Sequence, residues 1–161
     1  MQGICIDIKS LLLKGGHTMS LFDASSIEVK LYYIFRKKDN STILTVLSDE
    51  KAEKMLADDE KKKEVEVLIT QWSVMSWDEQ NASVKYAYDK VNEITGEKIF
   101  DHVAYRDAII KSCLKGWDIE INGQPAPLTP ENINRLPGEV VMAIYSKYEQ
   151  TLSYTEAELK N

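Results

Sequence analysis

The side chains that do covalent or metal chemistry are sparse in this chain: two histidines and two cysteines among 161 residues. His102 stands between Asp101 and Val103, with Asp107 further on. A metal centre there needs further His, Cys or carboxylate ligands to converge on it. No second histidine lies one helical turn away, and no His-Glu-x-x-His pattern occurs. His102 therefore reads as a surface histidine beside a helix cap. Cys113 would make a nucleophile if His102 stood next to it as base. Eleven residues along one helix hold the two about three turns apart, so Cys113 reads as a buried structural thiol. The carboxylates Asp78, Glu79, Glu93, Glu97, Asp101 and Asp107 are numerous. Acid–base catalysis needs two of them in one cleft with their pKa values pushed apart, and several already serve as helix-start acids. The phosphate-loop and dinucleotide glycine patterns are absent. The expectation is a non-enzymatic protein without catalytic, cofactor or metal sites.

The elements that carry these residues follow from pattern. Residues 27–35 are rich in β-branched and aromatic side chains and predict a strand. Lys38-Asp39-Asn40-Ser41 is turn chemistry, and residues 43–47 predict the second strand of a hairpin. Residues 49–63 are a mixed-charge run with Met55 and Leu56 as its large apolar residues, a solvated helix or loop rather than a charged binding arm. Residues 64–72 alternate and predict a third strand. Ser76 and Glu79 form a capping box that starts a helix. Trp77, Val84, Ala87, Tyr88 and Val91 share one face of it, and Thr95-Gly96 ends it. Trp72, Trp77 and Trp117 are expected in the core rather than on a stacking surface.

Asp101 caps the next helix, whose apolar residues Val103, Tyr105, Ala108, Ile109, Ile110, Cys113 and Leu114 wrap more than one face. That helix should be central, and Gly116 should close it. After Trp117 a short extended piece leads to Asn122-Gly123, a tight-turn pair. Pro125 and Pro127 keep the return extended. Thr129 caps a short helix with Pro130 at its first position and Glu131 at the positive end of its dipole. Pro137-Gly138 ends that helix. The last helix carries Val141, Ile144, Tyr145, Tyr148 and Leu152 on one stripe. The predicted fold is α+β: an N-terminal β-hairpin or small antiparallel sheet, then a mainly helical C-terminal half. Residues 19–161 form one domain, β-rich over 19–75 and helical over 76–161.

Length and composition permit a hydrophobic core: 43% of residues are apolar and 29% charged. The net charge of −6 argues against nonspecific binding to nucleic acid or anionic membrane, which takes clustered Lys and Arg. No apolar run is long enough to span a bilayer. Cys5 and Cys113 stand too far apart in sequence to suggest a disulfide framework. The segment Lys14-Gly15-Gly16-His17-Thr18 can be encoded with AGGAGG and a short spacer before an ATG at Met19. The expectation is a natural start at Met19, with residues 1–18 an untranslated leader, or else a disordered extension. On the first reading Cys5 and His17 drop out, and loss of Lys9, Lys14 and Asp7 makes the chain more acidic by one charge.

Residues 77–149 carry a distinctive order of short motifs. Trp77-Asp78-Glu79-Gln80-Asn81 is followed by Thr95-Gly96-Glu97 and Tyr105-Arg106-Asp107. Then come Leu114-Lys115-Gly116-Trp117-Asp118, the run from Asn122 and Gly123 through Pro125, Pro127, Thr129 and Pro130 to Asn132, and Leu136-Pro137. In this order and spacing the chain resembles a family of small tailed-phage proteins, the tail assembly chaperones and related proteins of the virion-assembly gene cluster. The resemblance implies a protein of the host bacterial cytoplasm that binds the tape-measure protein and assists tail-tube subunits to assemble around it. Many proteins of that family are made in two lengths by ribosomal frameshifting near the end of the first reading frame. Alternatives within the same setting are a virion structural or head–tail connector protein and a small phage regulatory or host-interaction protein. Tyrosine is enriched at protein interfaces, and the C-terminal helix end points to Tyr148, Leu152 and Tyr154 as partner-binding residues. Trp77, Trp117 and the turn residues that follow Trp117 are expected to hold the fold.

Overall fold

The computed structural model describes residues 26–89 and 91–153. The proposed leader, with Cys5 and His17, and the candidate Tyr154 lie outside the described residues. Strand β1 (Ser26–Lys38) turns through Asp39 and Asn40 into β2 (Ser41–Val46). Helix α1 (Asp49–Leu56) and a 3-10 turn (Lys61–Glu64) lead to β3 (Val65–Ser73). Helices α2 (Trp77–Ala87) and α3 (His102–Cys113) follow, then β4 (Leu114–Trp117). A small hairpin of β5 (Glu120–Ile121) and β6 (Gln124–Pro125) precedes α4 (Pro130–Arg135) and α5 (Gly138–Leu152). The main sheet is antiparallel throughout, in the order β2-β1-β3-β4. The α+β architecture is thus as the pattern predicts, with one addition: a fourth strand comes from within the half expected to be helical.

Alternation along β1 decides what each sheet face does. Val29 and Leu31 point to one side and join the main core with Leu68 and Trp72 of β3. Ile34, an odd number of residues further on, points to the other side and packs with Leu47 and Ala52. Helix α1 covers that second cluster, so the charged run 49–63 is in part a docked amphipathic helix. Its start is set by Ser48, whose hydroxyl accepts from the Lys51 N–H. On the first face α3, α4 and α5 contribute Ile109, Ile110, Cys113, Ile133, Val140, Ile144 and Tyr148 to one continuous cluster with the sheet.

Trp72 is the centre of this packing. Its ring stacks on Tyr148 at 4.5 Å between centroids. Its indole N–H donates to the Thr70 hydroxyl at 2.8 Å, and that hydroxyl donates to the Val29 carbonyl at 3.2 Å. Thr70 is fully buried, and these two bonds are why a polar residue is tolerated there. The Tyr148 hydroxyl donates to the Ser73 carbonyl at 2.9 Å, which ties α5 to the end of β3.

Two predicted helix ends move. Gly116 does not close α3. The helix stops at Cys113, and Gly116 pairs with Gln71 inside β4. The register shifts there, since Gln71 pairs with Gly116 and Trp72 with Leu114, leaving Lys115 as the bulged residue. Asp118 ends the strand: its carboxylate accepts from the Ile69 N–H at 2.9 Å in place of another ladder residue. Helix α2 likewise ends at Ala87, before Val91 and Thr95-Gly96. Trp77, expected in the core, is 73% exposed at the first helical position of α2. The capping box of Ser76 and Glu79 starts the helix at Trp77 and so sets that residue in its first turn.

The stretch after β4 behaves as its residues dictate. Asn122 and Gly123 both take positive φ, 53° and 73°, which closes a two-residue hairpin. The Trp117 indole N–H donates to the Ala126 carbonyl at 2.7 Å, and the Ala126 N–H donates to the Ile119 carbonyl at 2.8 Å. The Pro125-Ala126-Pro127 segment is therefore pinned against Trp117. Thr129 caps α4 through the Asn132 N–H, and the Asn132 side chain donates to the Pro127 carbonyl at 2.9 Å.

Candidate partner-binding surface

Among the described residues, the side chains that would do chemistry do not assemble. Cys113 is fully buried, and burial pushes its thiol above the ordinary range. His102 is exposed at the start of α3, its ring edge-on to Phe100 at 4.8 Å. Asp101 is used as a cap, accepting from the Val103 and Ala104 N–H groups at 2.9 and 3.1 Å. Glu79 is used in the capping box, whose backbone N–H and hydroxyl donors at Ser76 hold its carboxyl below the usual range. Asp107 pairs with Lys111 at 2.7 Å. Among the described residues no three His, Cys, Asp or Glu side chains converge as a metal site would require.

What the surface does offer is apolar. Tyr86, Tyr88, Val91, Ile94, Ile99 and Val103 are all exposed within one stretch from the end of α2 to the start of α3. Ile94 is 95% exposed and Val103 61%. Val91, Ile94 and Ile99 stand on a loop closed by its own hydrogen bonds. Val91 bridges Lys98, and the Asn92 N–H donates to the Glu97 carbonyl at 2.8 Å. The Asn92 side chain accepts from the Ile94 and Thr95 N–H groups at 2.9 and 3.3 Å, and Gly96 takes φ 70° to complete the turn. Such an Asx turn competes directly with helix, and α2 has already ended at Ala87, so Val91 lies outside it. At the base, Phe100 is edge-on to Tyr88 and tilted against Tyr105, with centroids 5.0 and 5.3 Å away. The Asp101 N–H donates to the Ala87 carbonyl at 2.9 Å and ties the loop's end to the end of α2.

The loop opens onto two depressions that share Asp101 and Val103. One, of about 580 Å³, is lined by Val91, Ile99, Phe100 and Val103. The other, of about 470 Å³, lies between α3 and the α4–α5 pair, with Val103, Ile110, Ile133, Leu136, Val141 and Met142 on its walls. Arg106 and Asp107 stand among the residues that line it. Their walls are mainly apolar with charged residues among them, the mixture expected of a protein-docking surface.

The partner-binding residues expected at the C-terminal helix end fare differently. Tyr148 is 1% exposed, so it is a core residue and not a surface one; its stacking on Trp72 and its bond to Ser73 account for it. Leu152 is exposed on the rim of a separate depression of about 290 Å³ with Val74, Met75 and Tyr105. Ile94, Ile99 and Met142 escaped the sequence reading. The available signal was Asn92 and Gly96 around exposed-facing apolar residues, a turn pattern inside an apparent helix.

No protein-family model, curated protein or solved structure matches the chain. Among the described residues no helix is long and apolar enough to cross a membrane.

Proposed function

We propose that this protein is a tail assembly chaperone of a tailed phage, a non-enzymatic factor that covers apolar stripes of the tape-measure protein until tail-tube subunits displace it. The observation that carries the reading is the set of exposed apolar residues Val91, Ile94 and Ile99 on a hydrogen-bonded loop, beside Val103 and Met142, which line a groove between α3 and the α4–α5 pair. A groove of this kind receives an amphipathic helix through residues spaced three and four apart. A preordered loop reduces the entropy lost on binding. The motif resemblance over residues 77–149 spans the elements that build this surface.

The test uses the full chain, tagged and recovered from infected cells. Tape-measure protein should co-purify, and finished particles should lack the chaperone. The pair of substitutions Ile94→Asp and Val103→Asp should reduce recovery of tape-measure protein at least about tenfold, since two desolvated anchors of about 1 kcal/mol or more are lost, while the melting temperature stays within a few degrees. Presence in purified particles at fixed copy number would instead identify a connector. Undiminished recovery with the double variant would remove this surface from the reading.

A further inference from the structure

Strand β1 is longer than the strand that flanks it. β2 pairs with Tyr33 to Lys38, and the last bond on that side runs from the Leu47 N–H to the Tyr32 carbonyl at 2.8 Å. The chain then leaves for α1. On its other side β1 pairs with β3 from Ser26 to Ile34. In an antiparallel ladder successive residues direct their N–H and C=O groups to opposite sides. Tyr32 faces β2, so Lys30 and Glu28 face the same way, beyond the point where β2 has ended. Among the described residues no backbone partner meets them there. The open edge borders a groove of about 600 Å³ walled by Asp49 and Glu53 of α1 and by Lys147, Gln150 and Thr151 of α5.

The charges in this groove are nearly balanced within it. Lys30 pairs with Glu28 at 3.2 Å, and Lys147 pairs with Asp49. Glu53 is exposed, and no ion pair engages it among the described residues. The groove therefore combines a short row of unmet strand donors and acceptors with one uncompensated carboxylate. We infer that it takes an extended polypeptide segment of a partner, added as a strand beside residues 26–31 of β1, with a Lys or Arg of that segment against Glu53. An extended backbone repeats its donors and acceptors every second residue, as this edge does, and the carboxylate sets the sign of the side chain. This edge is separate from the apolar surface and does not rest on the chaperone reading.

The probe is an acetylated, amidated heptapeptide of alternating Thr and Val with Lys at its centre, added to the full chain. Amide hydrogen exchange read by NMR should show the Glu28 and Lys30 N–H groups slowed on addition of the peptide. N-methylation of the peptide on the bonding side should abolish the effect, and N-methylation on the other side should leave it. Glu53→Lys should weaken binding about fivefold, the scale of an exposed ion pair converted to affinity, and should reverse the preference toward a Glu-centred peptide. Three results overturn the inference. The first is no slowing at millimolar peptide. The second is slowing already present in the isolated chain at every concentration, which assigns the edge to the chain's own terminal residues. The third is slowing that grows with protein concentration alongside dimer formation in sedimentation, which assigns it to a second copy.

Discussion

At the scale of single residues, the core turns on a few side chains with two functions each. Trp72 supplies packing area and also donates to Thr70, so Trp72→Ala should cost about 3–5 kcal/mol in denaturant unfolding. Tyr148→Phe keeps the stack and removes the bond to the Ser73 carbonyl, and should cost about 1 kcal/mol. Burial raises the pKa values of Tyr145, Tyr148 and Cys113. A group whose folded pKa is raised contributes stability that is complete below its unfolded value and lost as pH rises toward the folded one. The unfolded values are 9.0 for the thiol and 10.0 for the phenols. Stability should therefore hold to about pH 9 and fall above it, as thermal melts across pH 7–11 would reveal. A melt that keeps its midpoint through pH 11 would contradict the burial of these groups.

At the scale of elements, caps and turns decide where structure starts and stops. Ser76→Ala removes half of the capping box and should lower stability by about 1 kcal/mol. Glu79 contributes through its ionised form, with its folded pKa lowered from 4.5. Its stabilisation is present above that value and lost as pH falls below it. Glu79→Ala should consequently flatten the acid limb of the stability curve, measured by urea unfolding between pH 3 and 7. Gly123→Ala places a side chain at φ 73° and should cost about 1 kcal/mol, with hydrogen exchange rising first in the β5–β6 hairpin. The same elements explain what could be read from the chain in advance. β1 and β3 were legible because alternation extends over six or more residues in each, and β2 because turn chemistry at Lys38–Ser41 precedes its apolar run. The caps at Ser76, Asp101 and Thr129 were legible because capping is a local event. β4 was not, since Leu114-Lys115-Gly116-Trp117 is too short to show a period and its pairing with β3 is long-range. The candidate surface was hidden for a related reason. Val91 continues the helical spacing of α2, although the helix ends at Ala87 and the Asn92 side chain bonds to Ile94 and Thr95 in a turn.

At the scale of the whole molecule, charge governs behaviour in solution. The chain carries −6 at pH 7 and has a pI near 5.0. Repulsion between copies fades as pH approaches that value, while apolar side chains such as Ile94 remain in water. Light scattering should show self-association greatest near pH 5, and Ile94→Asp with Val103→Asp should suppress it; association unaffected by the double variant would place its origin elsewhere. The position of β4 has a consequence for synthesis. Its partner β3 ends at Ser73, and roughly forty residues are added before Leu114 emerges. At elongation rates of about 5–20 residues per second, the outer edge of β3 stands bare for about two to eight seconds. During that interval the nascent chain presents Gln71 and its neighbours without their final strand, and neighbouring ribosomes on the same message hold identical edges close by. The timing of translation, as much as the finished packing, thus bears on whether each copy completes its own sheet.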